Sequence, residues 1–183
     1  MKLVAIVGMT GAGKSEVSRL FEKNGFIRLR FGDITDEEIR KRGLELNEEN
    51  ERRVREALRK QHGMAAYALL SLSRIDLALK QKDVVIDGLY SWEEYLFLKN
   101  YYRQGFLVVA VWSSPRTRYA RLASRDIRPL KAEESAGRDK AEVEQLNKAG
   151  PIAMADFTIL NKSSLKNLAR EVKAVITALR RQH

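Results

Sequence analysis

Apolar residues in this chain come in two kinds of run, short β-branched blocks and longer stretches with helical spacing. Lys2–Val7 is a compact apolar run that stops at Gly8, the pattern of a buried parallel strand. From Lys14 to Lys23, Val17, Leu20 and Phe21 recur at helical spacing, and Asn24-Gly25 supplies the stop. Phe26–Phe31 predicts a second strand, with Ile27, Leu29 and Phe31 alternating against Arg28 and Arg30. Met64–Lys80 is a strongly apolar helix, Val84–Asp87 a third strand, and Glu93–Tyr102 a helix that Gln104-Gly105 ends. Phe106–Trp112 is a fourth strand. Ser114-Pro115 then opens a helix, with Ser as N-cap and Pro at the first helical position. Phe157–Leu160 and Leu165–Arg181 complete the series as a fifth strand and an amphipathic terminal helix.

Two stretches depart from this rhythm. Residues from Asp33 to about Gly63 are polar, with helical pieces of mixed charge and too few large apolar residues for a core. Arg128–Gly150 is also charged and apolar-poor, which predicts a mobile segment. Strands alternating with helices indicate an α/β fold built on a parallel sheet. We therefore expect one three-layer α/β/α domain over residues 1–183, with five parallel strands. A helical insertion over about 33–63 and an arginine-rich lid over about 116–150 would be its additions. In such a sheet every strand delivers its C-terminal end to one edge, where ligands bind. The turn after Val7, Asp33, Asp87-Gly88 and Ser113 all fall at that edge.

The turn after Val7 carries the most chemistry. Gly8-Met9-Thr10-Gly11-Ala12-Gly13-Lys14-Ser15 satisfies the phosphate-binding P-loop pattern between a strand and a helix. Glycines let the backbone turn its N–H groups inward on phosphate oxygens, and the following helix adds its positive end. Lys14 is placed to reach β- and γ-phosphates and Ser15 to ligate Mg²⁺. Val84-Val85-Ile86-Asp87-Gly88 ends a strand in a carboxylate, a second candidate for the metal.

Composition narrows the class. The 183 residues are 44% hydrophobic and 32% charged, a globular balance, with no apolar run near a membrane span and no cysteine for disulfides or thiolate chemistry. A cytoplasmic protein is the expectation, since a cleaved leader would destroy the loop. The net charge of +10 suits polyanions or phosphorylated small molecules. The competing reading, a P-loop NTPase acting as a nucleotide-dependent regulatory or nucleic-acid-binding protein, is disfavoured by the lack of an aromatic-interleaved basic motif. Asn161-Lys162-Ser163-Ser164 lacks the Asp of a guanine-reading motif, which argues against a GTPase, and the chain is short for a motor.

Two features favour a kinase. Asp33, at the end of the second strand, can accept a proton from an attacking hydroxyl or orient an acceptor, or it can simply cap the next helix. After the fourth strand, Arg118, Arg121 and Arg125 at i, i+3 and i+7 share a helical face, with Arg128 and Arg138 further on. Such arginines stabilise a migrating phosphoryl group, although any single one is as readily a solvated surface residue. Arg40, Arg42, Arg52, Arg53, Arg55 and Arg59 in the insertion either grip an acceptor phosphate or bridge to Glu45, Glu48, Glu49 and Glu56. His62 and His183 show no partner pattern.

The glycine loop, Gly32-Asp33, Val-Val-Ile-Asp-Gly and the arginine helix together resemble the nucleoside-monophosphate-kinase branch of P-loop kinases over most of the chain. Within it, Phe31-Gly32-Asp33, Asp87-Gly88-Leu89-Tyr90-Ser91, Ser114-Pro115 and Ala155-Asp156-Phe157-Thr158-Ile159-Leu160-Asn161 look most like dephospho-CoA kinases and the archaeal adenylate-kinase-related proteins similar to them. The resemblance implies ATP as donor, Asn161 at the adenine pocket and a nucleotide-like acceptor. Dephospho-CoA is the first choice of acceptor and a nucleoside monophosphate the second. Two departures keep both acceptors open. The Asp-Ala-Asp usual in dephospho-CoA kinases is here only Gly32-Asp33, and Asp36 stands where adenylate kinases carry an arginine.

Overall fold

The computed structural model describes residues 1–126 and 129–181; Arg128 and His183 lie outside them. Five strands form one parallel sheet: β1 (Leu3–Val7), β2 (Ile27–Arg30), β3 (Val84–Asp87), β4 (Phe106–Trp112) and β5 (Phe157–Leu160). Their order is β2-β3-β1-β4-β5. In register, Ile6 stands opposite Asp87 on one side and Val109 on the other. The glycine loop therefore leaves the central strand where the strand order reverses, the position at which open α/β sheets form their binding crevice.

Alternation along β1 feeds two cores. Leu3, Ala5 and Val7 join Ile86, Phe106 and Val108 on one face, while Val4 and Ile6 join Val85, Val109 and Val111 on the other. Because both faces are covered, the strand reads as continuously apolar rather than alternating. The second face is roofed by α1 (Lys14–Lys23) and α9 (Leu165–Arg181). Val17 and Phe21 of α1 meet Leu168, Val172, Ile176 and Leu179 of α9 there. That spacing of four, four and three keeps one stripe of α9 inward.

The first face takes the remaining large helices, α2 (Gly32–Lys41), α3 (Glu48–His62), α4 (Ala66–Leu79) and α5 (Trp92–Tyr102). The polar insertion is thus part of the core after all: Ile34, Ile39, Val54 and Leu58 are buried in it. Its apolar residues are few, but they share the inward side. Phe31 opens α2 rather than extending β2, so Asp33 lies in the first helical turn instead of at a strand end.

The expectation of a mobile segment after the fourth strand is also corrected. Beyond α6 (Pro115–Ala123) come two ordered helices, α7 (Ala132–Glu144) and α8 (Ala149–Ala153). Their buried residues are Ser135, Glu142, Lys148 and Pro151, so hydrogen bonds and ion pairs hold the segment where apolar burial is scarce. The α8 backbone packs flat on an indole: a Cβ at Gly150 would lie 2.6 Å from Trp92 Cε3. Trp92 N–H also donates to the Leu146 carbonyl at 3.2 Å. No helix of the described residues is long and apolar enough to cross a membrane.

Candidate active site

Three strand ends are tied together around the glycine loop. Gly13 has φ 98° and abuts Asn161, whose Nδ2 would lie 2.3 Å from any Cβ added there. Asn161 Nδ2 donates to the Ala12 carbonyl at 2.9 Å, and Ser113 Oγ donates to the Asn161 carbonyl at 2.6 Å. Arg121 donates to Ser113 Oγ at 3.0 Å and to the Asn161 carbonyl at 3.1 Å. Arg118 is almost fully committed: it donates to the Thr10 and Ser113 carbonyls and pairs bidentately with Asp139 at 2.7 and 2.6 Å. Arg118 therefore braces the loop from behind. Arg125 falls past the end of α6 and is exposed, so the three arginines do not share one helical face.

On the metal side, Ser15 Oγ donates to Asp87 Oδ1 at 3.4 Å. The other Asp87 oxygen is held by Arg28 Nη2, a part-buried pair that reaches across from β2. One hard carboxylate oxygen and one hydroxyl thus face each other at the loop. That donor set fits Mg²⁺, which takes few protein ligands and keeps phosphate oxygens and waters for the rest. Among the described residues no three acidic, histidine or cysteine side chains cluster in a way that would hold a metal without such help.

Above the loop lies a network that no local pattern in the chain announces. Glu142 on α7 accepts the Thr10 N–H at 3.1 Å and the Thr10 hydroxyl. Lys148, 1% exposed, is 3.0 Å from the same carboxylate. Burial pushes the Glu142 carboxyl up, but the Lys148 and Lys14 ammoniums and the Thr10 hydroxyl outweigh it and hold the group at about 2. Lys14 is brought down to about 7 by burial and by the Lys148 charge, with Glu142 and Asp87 opposing and Arg138 adding. Its Nζ donates to the Met9 carbonyl at 3.2 Å. Arg138 stands 3.9 Å from Glu142.

On the far side of β3, Tyr90 packs edge-on to Tyr67, 5.5 Å between centroids, and Lys148 lies 5.7 Å from its ring centre. Glu94 caps α5 through the Tyr90 and Ser91 N–H groups, and burial drives its carboxyl up to about 7. Glu94 Oε1 and Arg59 Nε are buried without a hydrogen-bond partner among the described residues. Asp33 is half-exposed and pairs with Arg30 at 3.0 Å. Burial raises the neighbouring Asp36 carboxyl, Arg30 opposes this, and Glu51 and Asp33 add to it.

The structure thus gathers Gly8 to Ser15, Asp87, Arg118, Arg121, Arg138 and Asn161 at one sheet edge. Asp33 sits on the insertion side of that edge, and Arg125 lies near Arg138, whose charge, after burial, lowers the Arg125 proton affinity. Sequence reasoning missed Arg28, Glu142, Lys148, Tyr90 and Glu94. Arg28 was masked by strand alternation, which marks it as outward in an exposed strand but not in a sheet covered on both faces. Only Glu94 had a local signal, the Ser91-x-x-Glu94 capping box.

Comparison with known proteins agrees with this fold. Residues 4–146 match a family model described as an AAA domain. The UPF0200 protein TK1334 of Thermococcus kodakarensis is 38% identical over 178 residues, covering 95% of this chain and 96% of the relative. A UPF0200 protein of Thermococcus gammatolerans is 36% identical over 178 residues, covering 95% and 93%. Among solved structures, shikimate kinase from Acinetobacter baumannii superposes with a TM-score of 0.61 at 18% identity, covering 100% of this chain and 96% of that one. Dephospho-CoA kinase from Campylobacter jejuni gives 0.57 at 15% identity, covering 97% of both. Those identities carry the fold alone, a P-loop kinase-like three-layer α/β/α architecture with a five-stranded parallel sheet. By its match over most of its length and its full-length relatives, the chain belongs to the AAA-domain P-loop proteins, and within them to the UPF0200 family.

Proposed function

We propose that this protein is an ATP-dependent small-molecule kinase that transfers the γ-phosphoryl group to a hydroxyl of a nucleotide-like acceptor, with dephospho-CoA as the first candidate. The observation that carries the reading is the meeting of Ser15 and Asp87 at the mouth of a complete glycine loop, beside buried Lys14. The loop amides and Lys14 bind the phosphates, and Asn161 and Arg121 form the wall on the adenine side. Ser15 and Asp87 would hold Mg²⁺, which would supply charge neutralisation at the phosphates.

In the transfer, an acceptor hydroxyl oxygen forms a bond to the γ-phosphorus, the bond from that phosphorus to the ADP oxygen breaks, and Asp33 takes the hydroxyl proton. On the acceptor side Asp33, Asp36 and Glu51 gather with Arg30 and Arg40, so carboxylates and cations are both at hand for a polar acceptor. Glu94 Oε1 and Arg59 Nε, both unpartnered among the described residues, can meet the polar edge of the acceptor.

ATP consumption measured with a panel of dephospho-CoA, nucleoside monophosphates, small hydroxylated acids, DNA and RNA tests this. Stimulation by dephospho-CoA or another hydroxylated acceptor, abolished in Lys14→Ala with the fold retained, is the expected result. Turnover unchanged in Lys14→Ala, or stimulation by nucleic acid only, overturns the reading.

A further inference from the structure

Lys148 is the least expected charge in the molecule. Its ammonium lies within the protein at 1% exposure, and its ion-pair partner is Glu142 at 3.0 Å. A buried ammonium is costly unless paired and hydrogen-bonded. Here the pairing is shared, because the same Glu142 carboxylate also binds the Thr10 N–H and hydroxyl and faces Lys14 and Arg138. Burial and then the Arg138 charge lower the proton affinity of Lys148, with Glu142 and Glu94 opposing. Asp87, the next carboxylate, is already held by Arg28. Lys14, Lys148 and the partly exposed Arg138 thus converge on the Glu142 carboxylate beside the glycine loop, with Glu94 as a further carboxyl acting on Lys148.

A structural salt bridge needs one cation for one carboxylate. An anion entering between the two lysines would meet this excess of cationic groups over carboxylates. Lys148 is also positioned to span the transfer, with Glu142 and the loop on its donor side and the Tyr90 ring on its acceptor side. We propose that Lys148 is a second phosphoryl-binding lysine, held over the glycine loop by Glu142, and that the group it binds is the terminal phosphate of the nucleoside triphosphate. Lys148 touches the migrating group and is catalytic in that sense; Glu142 is a positioning residue. The inference rests on the kinase reading for its reaction but on charge geometry for its ligand.

The test uses the full chain carrying Lys148→Met, and the double variant Glu142→Gln with Lys148→Met. In the double variant the amide carbonyl introduced at position 142 still accepts the Thr10 N–H while both charges are removed. Replacing a buried ion pair by neutral groups of similar size is often tolerated, so that protein is expected to fold. Calorimetric titration with ATP and with ADP, each with Mg²⁺, should show ATP affinity falling on the order of tenfold and ADP affinity within about twofold of the parent. In turnover with the best acceptor, kcat should fall on the order of 10²-fold, more than the KM for acceptor changes. Equal losses for ATP and ADP, an unchanged kcat in a folded variant, or failure of both variants to fold would each make the pair scaffold and overturn the proposal. If the parent shows no turnover with any acceptor, the kinase reading fails, and the ATP-to-ADP comparison still decides Lys148.

Discussion

The two insertions of this fold look alike in composition and differ in what their charges do. In α2 and α3, Arg42 with Glu38, Arg52 with Glu56, and Arg55 with Glu51 each join positions one helical turn apart, and Glu37 reaches Arg74 of α4 at the surface. In α6 to α8 the principal pairs are distant in sequence or buried: Arg118 with Asp139, Glu142 with Lys148, and Glu142 with Thr10 of the loop. The first set supports helices and leaves apolar residues to hold the insertion down. The second set does the holding itself and ends on the glycine loop. Charge count does not distinguish the two regions; the depth at which the partners are buried does.

The contrast can be broken by substitution. Arg118→Ala has the largest expected effect. It strands the Asp139 carboxylate and frees the Thr10 and Ser113 carbonyls, and removing one member of a buried pair costs about 3–5 kcal/mol. Denaturant titration should show a midpoint lowered accordingly, and a loss below about 1 kcal/mol would place Arg118 with the surface pairs.

Lys14→Met should go the other way. Its ammonium is held at about 7 in the fold, below the ordinary lysine value, so between pH 7 and the unfolded value the unfolded chain binds more protons. Parent stability therefore rises with pH across that window, and the variant loses that slope. At pH 7 its melting temperature should exceed the parent's by a few degrees while activity is lost. A lower melting temperature would show that Lys14 is a structural cation. Arg52→Ala, the smallest test, removes a fully solvated pair, and its denaturation curve should overlay that of the parent.

Much of this molecule is legible from local pattern. β3, β4 and β5 have the bounds their apolar runs predict, and the glycine loop sits between β1 and α1 as its spacing requires. These features depend on neighbours within one strand or one turn. What the sequence hides depends on contacts across the fold. Thr10 and Glu142 are 132 positions apart, and Arg28 and Asp87 are 59 apart. A buried lysine and glutamate are written in the same letters as a solvated pair, which is why residues 128–150 read as a mobile tract. Ile34, Ile39, Val54 and Leu58 were too sparse to signal a core until α2 and α3 turned them to one side.

The contact of Gly150 with Trp92 has an optical consequence. The chain has two tryptophans, and each lies at one flank of the site. Trp92 is covered by the α8 backbone just beyond Lys148 and stacks on Tyr95, 5.0 Å between centroids. Trp112 is 43% exposed at the end of β4, with the Lys162 ammonium 4.9 Å from its ring centre. A shift in α8 would wet the Trp92 indole and redden its emission, whereas an event at the Asn161 side would be seen by Trp112. With the other tryptophan replaced by phenylalanine, each flank becomes a separate fluorescence channel, so the order in which the two sides respond to a ligand can be timed without attaching any dye.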